Sequence, residues 1–130
     1  MVRRIAAAGL LMFAIACSSA NGSLQKIPGS TRNVIGFEEI ESRGLVGGTA
    51  WDLINSLRPN FLNSRGPTSL QSAVQAYPVV YLDGTRYGDI QTLKTISADS
   101  IRMVEYMTAG DATTRFGTDH ASGVILLVMR

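Results

Sequence analysis

The sequence predicts an α+β fold in which short helices accompany a small mixed β-sheet. Three observations lead to this class. The chain has 130 residues, which is enough to bury one core but not two. Short segments with helical spacing are mixed with three or four apolar or alternating segments that are typical of strands. No internal repeat is visible, so these elements are expected to form one domain.

The first 16 residues have the pattern of an export signal peptide. Met1–Arg4 is a short basic segment, and Ile5–Ala16 is an apolar run that is too short to span a membrane. Ala14 and Ala16 provide the small side chains that a signal peptidase accepts, and Cys17 follows directly. Such a cysteine is similar to that of a bacterial lipobox, so we expect Cys17 to be the lipid attachment site. The alternative is ordinary cleavage after Ala16, which leaves a free thiol in a soluble periplasmic protein.

Residues 17–32 are predicted to form the lipid anchor and a flexible tether. They are rich in Ser, Gly and Asn and have little apolar surface to bury. The folded domain is then expected over residues 33–130. A lipidated Cys17 followed by Ser18 resembles lipoproteins of the outer membrane, which places the domain on the periplasmic face of that membrane.

The first predicted elements of the domain are two helices. A short helix is expected over 37–44, and its glutamates at positions 38, 39 and 41 are interpreted as a solvated face rather than a metal site. Thr49 and Asp52 fit a capping box. The residues that follow repeat apolar side chains with helical spacing until Pro59. This second helix is the strongest in the sequence.

The second half of the chain is predicted to contain most of the strands. Residues 78–82 are apolar and β-branched, as in a strand that is covered on both faces. Asp83 and Gly84 then predict a tight turn. The spacing of apolar residues further predicts a helix over 89–96, a strand over 102–107, a helix over 111–116 and a strand over 124–129. The last of these is the most hydrophobic, so we expect it at the centre of the sheet.

The remaining segments are predicted to be loops and short caps. Residues 60–75 are interpreted as mostly loop, with a strand beginning at Phe61 and a turn after Arg65. Asp111 is expected to cap a one-turn helix that Gly117 ends. His120 lies in a polar, glycine-rich loop and is interpreted as an exposed residue rather than as a catalytic base.

Composition excludes several classes of site. One Cys and one His exclude an internal disulfide framework and a Cys/His zinc cluster. The formal charge of +2 disappears when Arg3 and Arg4 are removed with the signal peptide, and a neutral chain lacks the basic stripe of a nucleic-acid-binding protein. No motif of a nucleophilic enzyme is present. We therefore predict a protein without catalytic residues, metal or cofactor.

Three motifs follow one another over residues 79–130. They are the turn Tyr81–Gly84, the strand sequence DSIRMVEYM over 99–107, and Phe116-Gly117 followed by Gly123-Val124-Ile125. Their order and spacing resemble the plug domain of TonB-dependent outer-membrane receptors. The resemblance is densest over the last 50 or so residues and implies that the following positions define the plug fold: Asp83, Gly84, Phe116, Gly117 and Gly123.

The resemblance implies a binding role rather than a complete receptor. A receptor plug fills a β-barrel of the same chain, whereas nothing follows Arg130 here, so we expect a stand-alone plug-like domain with no β-barrel. Its expected function is a non-enzymatic interaction module, accessory to TonB-dependent uptake, with an outer-membrane or periplasmic protein as partner. The partner or ligand contacts would come from an added strand at the sheet edge, or from the loops that carry Arg65, Thr118 and His120. The alternatives are a small-ligand-binding lipoprotein and a non-functional receptor relic.

Labelling with palmitate tests the lipobox. We expect label to enter the wild-type protein and to be absent from a Cys17→Ser variant, because the serine cannot be modified at sulfur. Incorporation is measured on gels of the membrane fraction. Label that persists in the variant would show that Cys17 is not the attachment site.

Overall fold

The computed structural model describes residues 31–43, 47–65, 67–69 and 72–130. The predicted signal peptide, Cys17 and the tether up to residue 30 lie outside these residues, as does the expected end of the first helix at residue 44. Thr31 and Val34 exchange two backbone hydrogen bonds across a tight turn that contains residue 33, where the folded domain is predicted to begin.

An open mixed sheet of five strands confirms the predicted α+β class. Its order is β1-β6-β7-β4-β5, with β2 and β3 in a separate hairpin. The strands are β1 (Val34–Ile35), β2 (Pro67–Ser69), β3 (Ser72–Gln75), β4 (Val79–Leu82), β5 (Thr85–Gly88), β6 (Ile101–Met107) and β7 (Val124–Met129). As expected from its hydrophobicity, β7 is central, antiparallel to β6 and parallel to β4.

Short helices connect the strands. The α-helices are α1 (Phe37–Arg43), α2 (Ala50–Leu57) and α3 (Ala109–Phe116), and three 3-10 helices span Pro59–Leu62, Ile90–Thr95 and Ala98–Ser100. The predicted strand at Phe61 is wrong, because the chain turns at Pro59 and brings Phe61 and Leu62 into the core within a 3-10 helix. The helices in the described part of the chain are too short or too polar to span a bilayer.

The capping box predicted for α2 is present. The Thr49 hydroxyl donates to the Asp52 carboxylate at 2.7 Å and accepts from the Asp52 backbone N–H, while the Thr49 N–H donates to the same carboxylate at 3.0 Å. The hydroxyl, and next the N–H, lower the pKa of Asp52 below its usual value. The two bonds to the carboxylate are therefore present at neutral pH and weaken when acid protonates Asp52, whereas the bond from the Asp52 N–H to the Thr49 hydroxyl does not depend on that charge.

Two separate clusters of apolar side chains cover the two faces of the sheet. The larger lies under α2 and the 3-10 helices, where Phe61 stacks on Tyr106 at 5.1 Å between ring centroids. The smaller lies under α3 and joins its Ala112 to residues of three strands: Tyr81, Met107, Val124 and Leu126. Because both faces are covered, β7 is buried along most of its length.

The acidic face of α1 is only partly the solvated surface that the sequence predicts. Its residues 38 and 41 are exposed, but Glu39 is only 5% exposed and forms a two-armed ion pair with Arg58, at 2.9 and 3.2 Å. Arg58 immediately follows α2, so the pair links α1 to the end of α2. The sequence prediction is wrong for Glu39 because its partner lies on another element.

The start of α3 also differs from the prediction. Thr108 is the N-cap residue, and its hydroxyl accepts from the Asp111 N–H, so Asp111 lies in the first turn instead of capping the helix. The helix has eight residues rather than one turn. Gly117 ends it, as predicted, with a φ of 89°.

The predicted turn at Asp83 and Gly84 joins β4 to β5. Both residues have positive φ, of 48° and 85°, as this kind of two-residue hairpin turn requires. The Asp83 carboxylate accepts from the Met129 N–H at 3.0 Å, and the Asp83 N–H donates to the Leu127 carbonyl. The turn therefore also ties the hairpin to the end of β7.

A comparison of two glycines tests the packing at the start of β7. Gly123 has a φ of 86°, and a Cβ there would lie 2.4 Å from the Met107 carbonyl oxygen, whereas a Cβ at Gly117 would meet nothing within 4 Å. We expect Gly117→Ala to cost about 1–3 kcal/mol from backbone strain alone. Gly123→Ala adds the clash, so it should lower the melting temperature further or prevent folding.

Thermal unfolding followed by circular dichroism measures both variants. Equal melting temperatures for the two variants would show that the close approach of Gly123 to β6 does not constrain the fold.

Candidate functional site

One end of the sheet collects the loops that the sequence analysis singles out. Because β4 and β7 run parallel and β6 runs opposite to them, the starts of β4 and β7 lie beside the end of β6. Arg65, residues 76–78 and residues 117–123 meet there. We call these three segments the loop end.

The Ala76 carbonyl joins two of the predicted contact loops. It accepts from the Arg65 N–H at 3.1 Å and from the Ser122 hydroxyl at 2.7 Å. The Tyr106 hydroxyl donates to the Ser122 carbonyl at 3.1 Å, and the Arg65 guanidinium lies 5.5 Å from the centre of the Tyr106 ring. Arg65 and the 117–123 loop are therefore held on a common support.

His120 is buried, and the prediction that it is exposed is wrong. It is only 4% exposed, with Nε2 2.9 Å from the Tyr81 hydroxyl and Nδ1 2.9 Å from the Gly117 carbonyl oxygen. A carbonyl can only accept, so Nδ1 carries a proton, and in the tautomer with that single ring proton Nε2 accepts from the Tyr81 hydroxyl. The ring therefore serves as an internal link between β4 and the loop after α3.

Three rings hold α3 and its following loop against the sheet. Tyr81 lies 4.1 Å from Phe116 and 5.7 Å from His120, and Phe116 lies 6.0 Å from His120, measured between centroids. The Arg115 guanidinium lies 5.4 Å over Phe116. Phe116, which the resemblance marks as a structural residue, thus packs on Tyr81, the first residue of the turn motif Tyr81–Gly84.

The exposed part of the loop end is polar. Thr118 and Asp119 are exposed, and Asp119 has a φ of 77°, which is uncommon for a residue with a side chain. A shallow depression of about 440 Å³ lies beside them. It is lined by Thr113, Thr118, Asp119, His120 and Ala121. These side chains offer hydroxyl and carboxylate groups, so the depression suits a polar ligand.

The other plug-motif residues lie away from this surface or beneath it. Asp83 and Gly84 form the turn at the opposite end of β4, so the structure does not bring them to the loop end. Gly123 is the buried last residue of the loop end, and its carbonyl accepts from the Val79 N–H. Sequence analysis did not assign Tyr81 to this region, because its hydrogen-bond partner His120 is distant in the chain.

Neither metal-ligand geometry nor similarity to known proteins assigns a function to the loop end. Within residues 31–43, 47–65, 67–69 and 72–130, no group of three or more His, Cys, Asp or Glu side chains is placed to hold a metal ion. No protein-family model, curated protein or solved structure matches the chain.

A double-mutant cycle tests the internal role of His120. Tyr81→Phe leaves a buried Nε2 without its donor, and His120→Phe leaves the Tyr81 hydroxyl without its acceptor, so each is expected to cost about 1–3 kcal/mol. The double variant removes both groups and should be more stable than the sum predicts, by about 1 kcal/mol. Chemical denaturation measures all four proteins. Strictly additive costs would mean that the two side chains do not depend on each other.

Proposed function

We propose that this protein is a non-enzymatic, plug-like interaction module of the bacterial envelope. In this proposal it is anchored to the outer membrane through Cys17, faces the periplasm, and binds an outer-membrane or periplasmic protein of a TonB-dependent uptake system. The proposal rests on the structure of the loop end. There, the Ala76 carbonyl holds both of the loops that the plug resemblance implies as contacts.

The construction of the loop end supports binding. Functional residues commonly lie on loops that a rigid scaffold positions. Here the Ala76 carbonyl and the Tyr106 hydroxyl hold the backbone of both loops, while Arg65, Thr118 and Asp119 remain exposed above them. The surface has a cation, an anion and a hydroxyl, which suits a polar protein contact with charges of both signs.

The environment of His120 supports a role without catalysis. It is the only histidine of the chain, and both of its ring nitrogens are hydrogen-bonded to the fold. A general base needs a nitrogen that reaches the substrate. The neighbouring Asp119 is exposed, and the structure pairs His120 with Tyr81 and Gly117 instead.

The sheet edges favour the loop end over strand addition as the docking mode. The edge strand β1 has two residues. The other edge strand, β5, has four, and its pairing with β4 is irregular, because the register shifts between Val80 and Tyr81 as it does at a β-bulge. Short and bulged edges are features that oppose pairing with a further strand.

A small ligand at the loop end is a second candidate. The depression beside Thr118 and Asp119 has a volume within the range of small-molecule sites, but it is shallow. In this case the chain would be a ligand-binding lipoprotein rather than a protein adaptor.

A crosslinked pull-down from intact envelopes tests the proposal. The chain carries a C-terminal tag, and captured proteins are identified by mass spectrometry. We expect one outer-membrane or TonB-system protein to be enriched with the wild type and lost with the double variant Arg65→Glu, Asp119→Asn. Arg102→Glu is the matched control, because Arg102 is exposed near the start of β6, at the opposite end of the sheet.

The outcomes separate the two candidates. If the loop-end variant and Arg102→Glu reduce capture of the partner equally, the result contradicts the loop end as the docking surface. A protein that melts cooperatively but captures no partner would contradict the adaptor function and favour the small-ligand candidate.

A further inference from the structure

A second depression lies away from the loop-end depression, between β4, β5 and the 3-10 helix Ile90–Thr95. It has a volume of about 370 Å³. The residues of its lining that bear on ligand binding are Tyr77, Pro78, Arg86, Asp89 and Gln91. The first two precede β4, Arg86 lies in β5, and the last two begin the 3-10 helix, so the ordered backbone of three elements forms its walls.

Tyr77 gives this depression an aromatic surface that the fold itself does not use. Three large apolar side chains of the described residues are prominently exposed: Phe37 at 42%, Tyr77 at 48% and Tyr87 at 48%. Phe37 is covered by the Arg130 guanidinium at 4.8 Å. Neither tyrosine has a ring or side-chain hydrogen-bond partner among the described residues, and of the two only Tyr77 lines the depression.

The polar groups around Tyr77 are balanced in charge and mixed in hydrogen-bonding type. Arg86 supplies donors, Asp89 supplies acceptors, and the Gln91 amide supplies both. One oxygen of Asp89 already accepts from the Gln91 N–H at 3.0 Å, which fixes the direction of the carboxylate. A lining with one cation and one anion favours neither an anionic nor a cationic ligand.

We propose that this depression binds a neutral saccharide. A sugar ring has an apolar face of C–H groups that can stack on the Tyr77 ring, and its hydroxyls both donate and accept, as Arg86, Asp89 and Gln91 require. The proposal goes beyond the loop-end interaction. Its depression shares Tyr77 and Pro78 with the loop end but uses none of Arg65, Thr118 and Asp119, on which the docking proposal rests. Its failure would leave the proposed function unaffected.

Titration of the full chain with neutral disaccharides tests this site. The probes are N,N′-diacetylchitobiose, maltose and cellobiose, each followed by calorimetry and by amide chemical shifts. We expect saturable binding of at least one probe, with shifts at Tyr77 and Gln91. Tyr77→Ala should weaken binding up to about tenfold, since an aromatic contact contributes roughly 0.5–1.5 kcal/mol. Gln91→Ala should also weaken it.

Tyr87→Ala is the matched control, because Tyr87 is equally exposed but does not line the depression. It should bind like the wild type and melt at the same temperature as Tyr77→Ala. No saturable binding of any of the three probes, or equal loss in both tyrosine variants, would overturn the proposal. Binding of a proline-rich peptide with no binding of saccharides would also overturn it and would identify the depression as a peptide groove.

Discussion

The burial of β7 on both faces is the constraint on which the rest of the structure depends. A strand with six consecutive apolar residues needs neighbours on both sides and cover above and below. Strands β6 and β4 provide the neighbours, while α2 with the 3-10 helices and α3 provide the cover. The loops of the candidate site begin or end at these same elements, so their positions follow from the packing around one strand.

Signals that are local in the sequence predicted their elements well. The helical spacing and capping box of α2, the turn at Asp83 and Gly84, and the apolar run of β7 all depend on residues within a few positions of each other. Elements that depend on distant partners were missed or mistaken. Glu39 is the example, since its partner Arg58 lies on another element. The β2–β3 hairpin was also missed, in a segment predicted as loop, although its two strands pair only with each other.

In the candidate site, too, the features that depend on distant residues could not be predicted from the sequence. The resemblance to a receptor plug implied that Arg65 and the loop with Thr118 and His120 could contact a ligand or partner, which stays a prediction. The structure places Arg65 and Ser122 at the same Ala76 carbonyl. Every residue has a backbone carbonyl, so the sequence does not indicate which carbonyl joins the two loops. The exposure of His120 was predicted wrongly for a related reason: a polar, glycine-rich neighbourhood indicates exposure, but the ring packs against Tyr81 of the distant strand β4. The resemblance, the signal peptide and the lipid anchor themselves stay predictions.

The position of β7 in the chain order has a consequence for how the domain folds. The central strand comes after the four other strands of its sheet, and its parallel partner β4 precedes it by most of the second half of the chain. Before β7 is available, β1, β6 and the β4–β5 hairpin have no common strand to assemble on. Folding therefore waits for a contact between distant parts of the chain, which is slow. Such a delay suits a protein that is predicted to cross a membrane unfolded, and it leaves the apolar residues of β7 exposed to aggregation until the sheet closes.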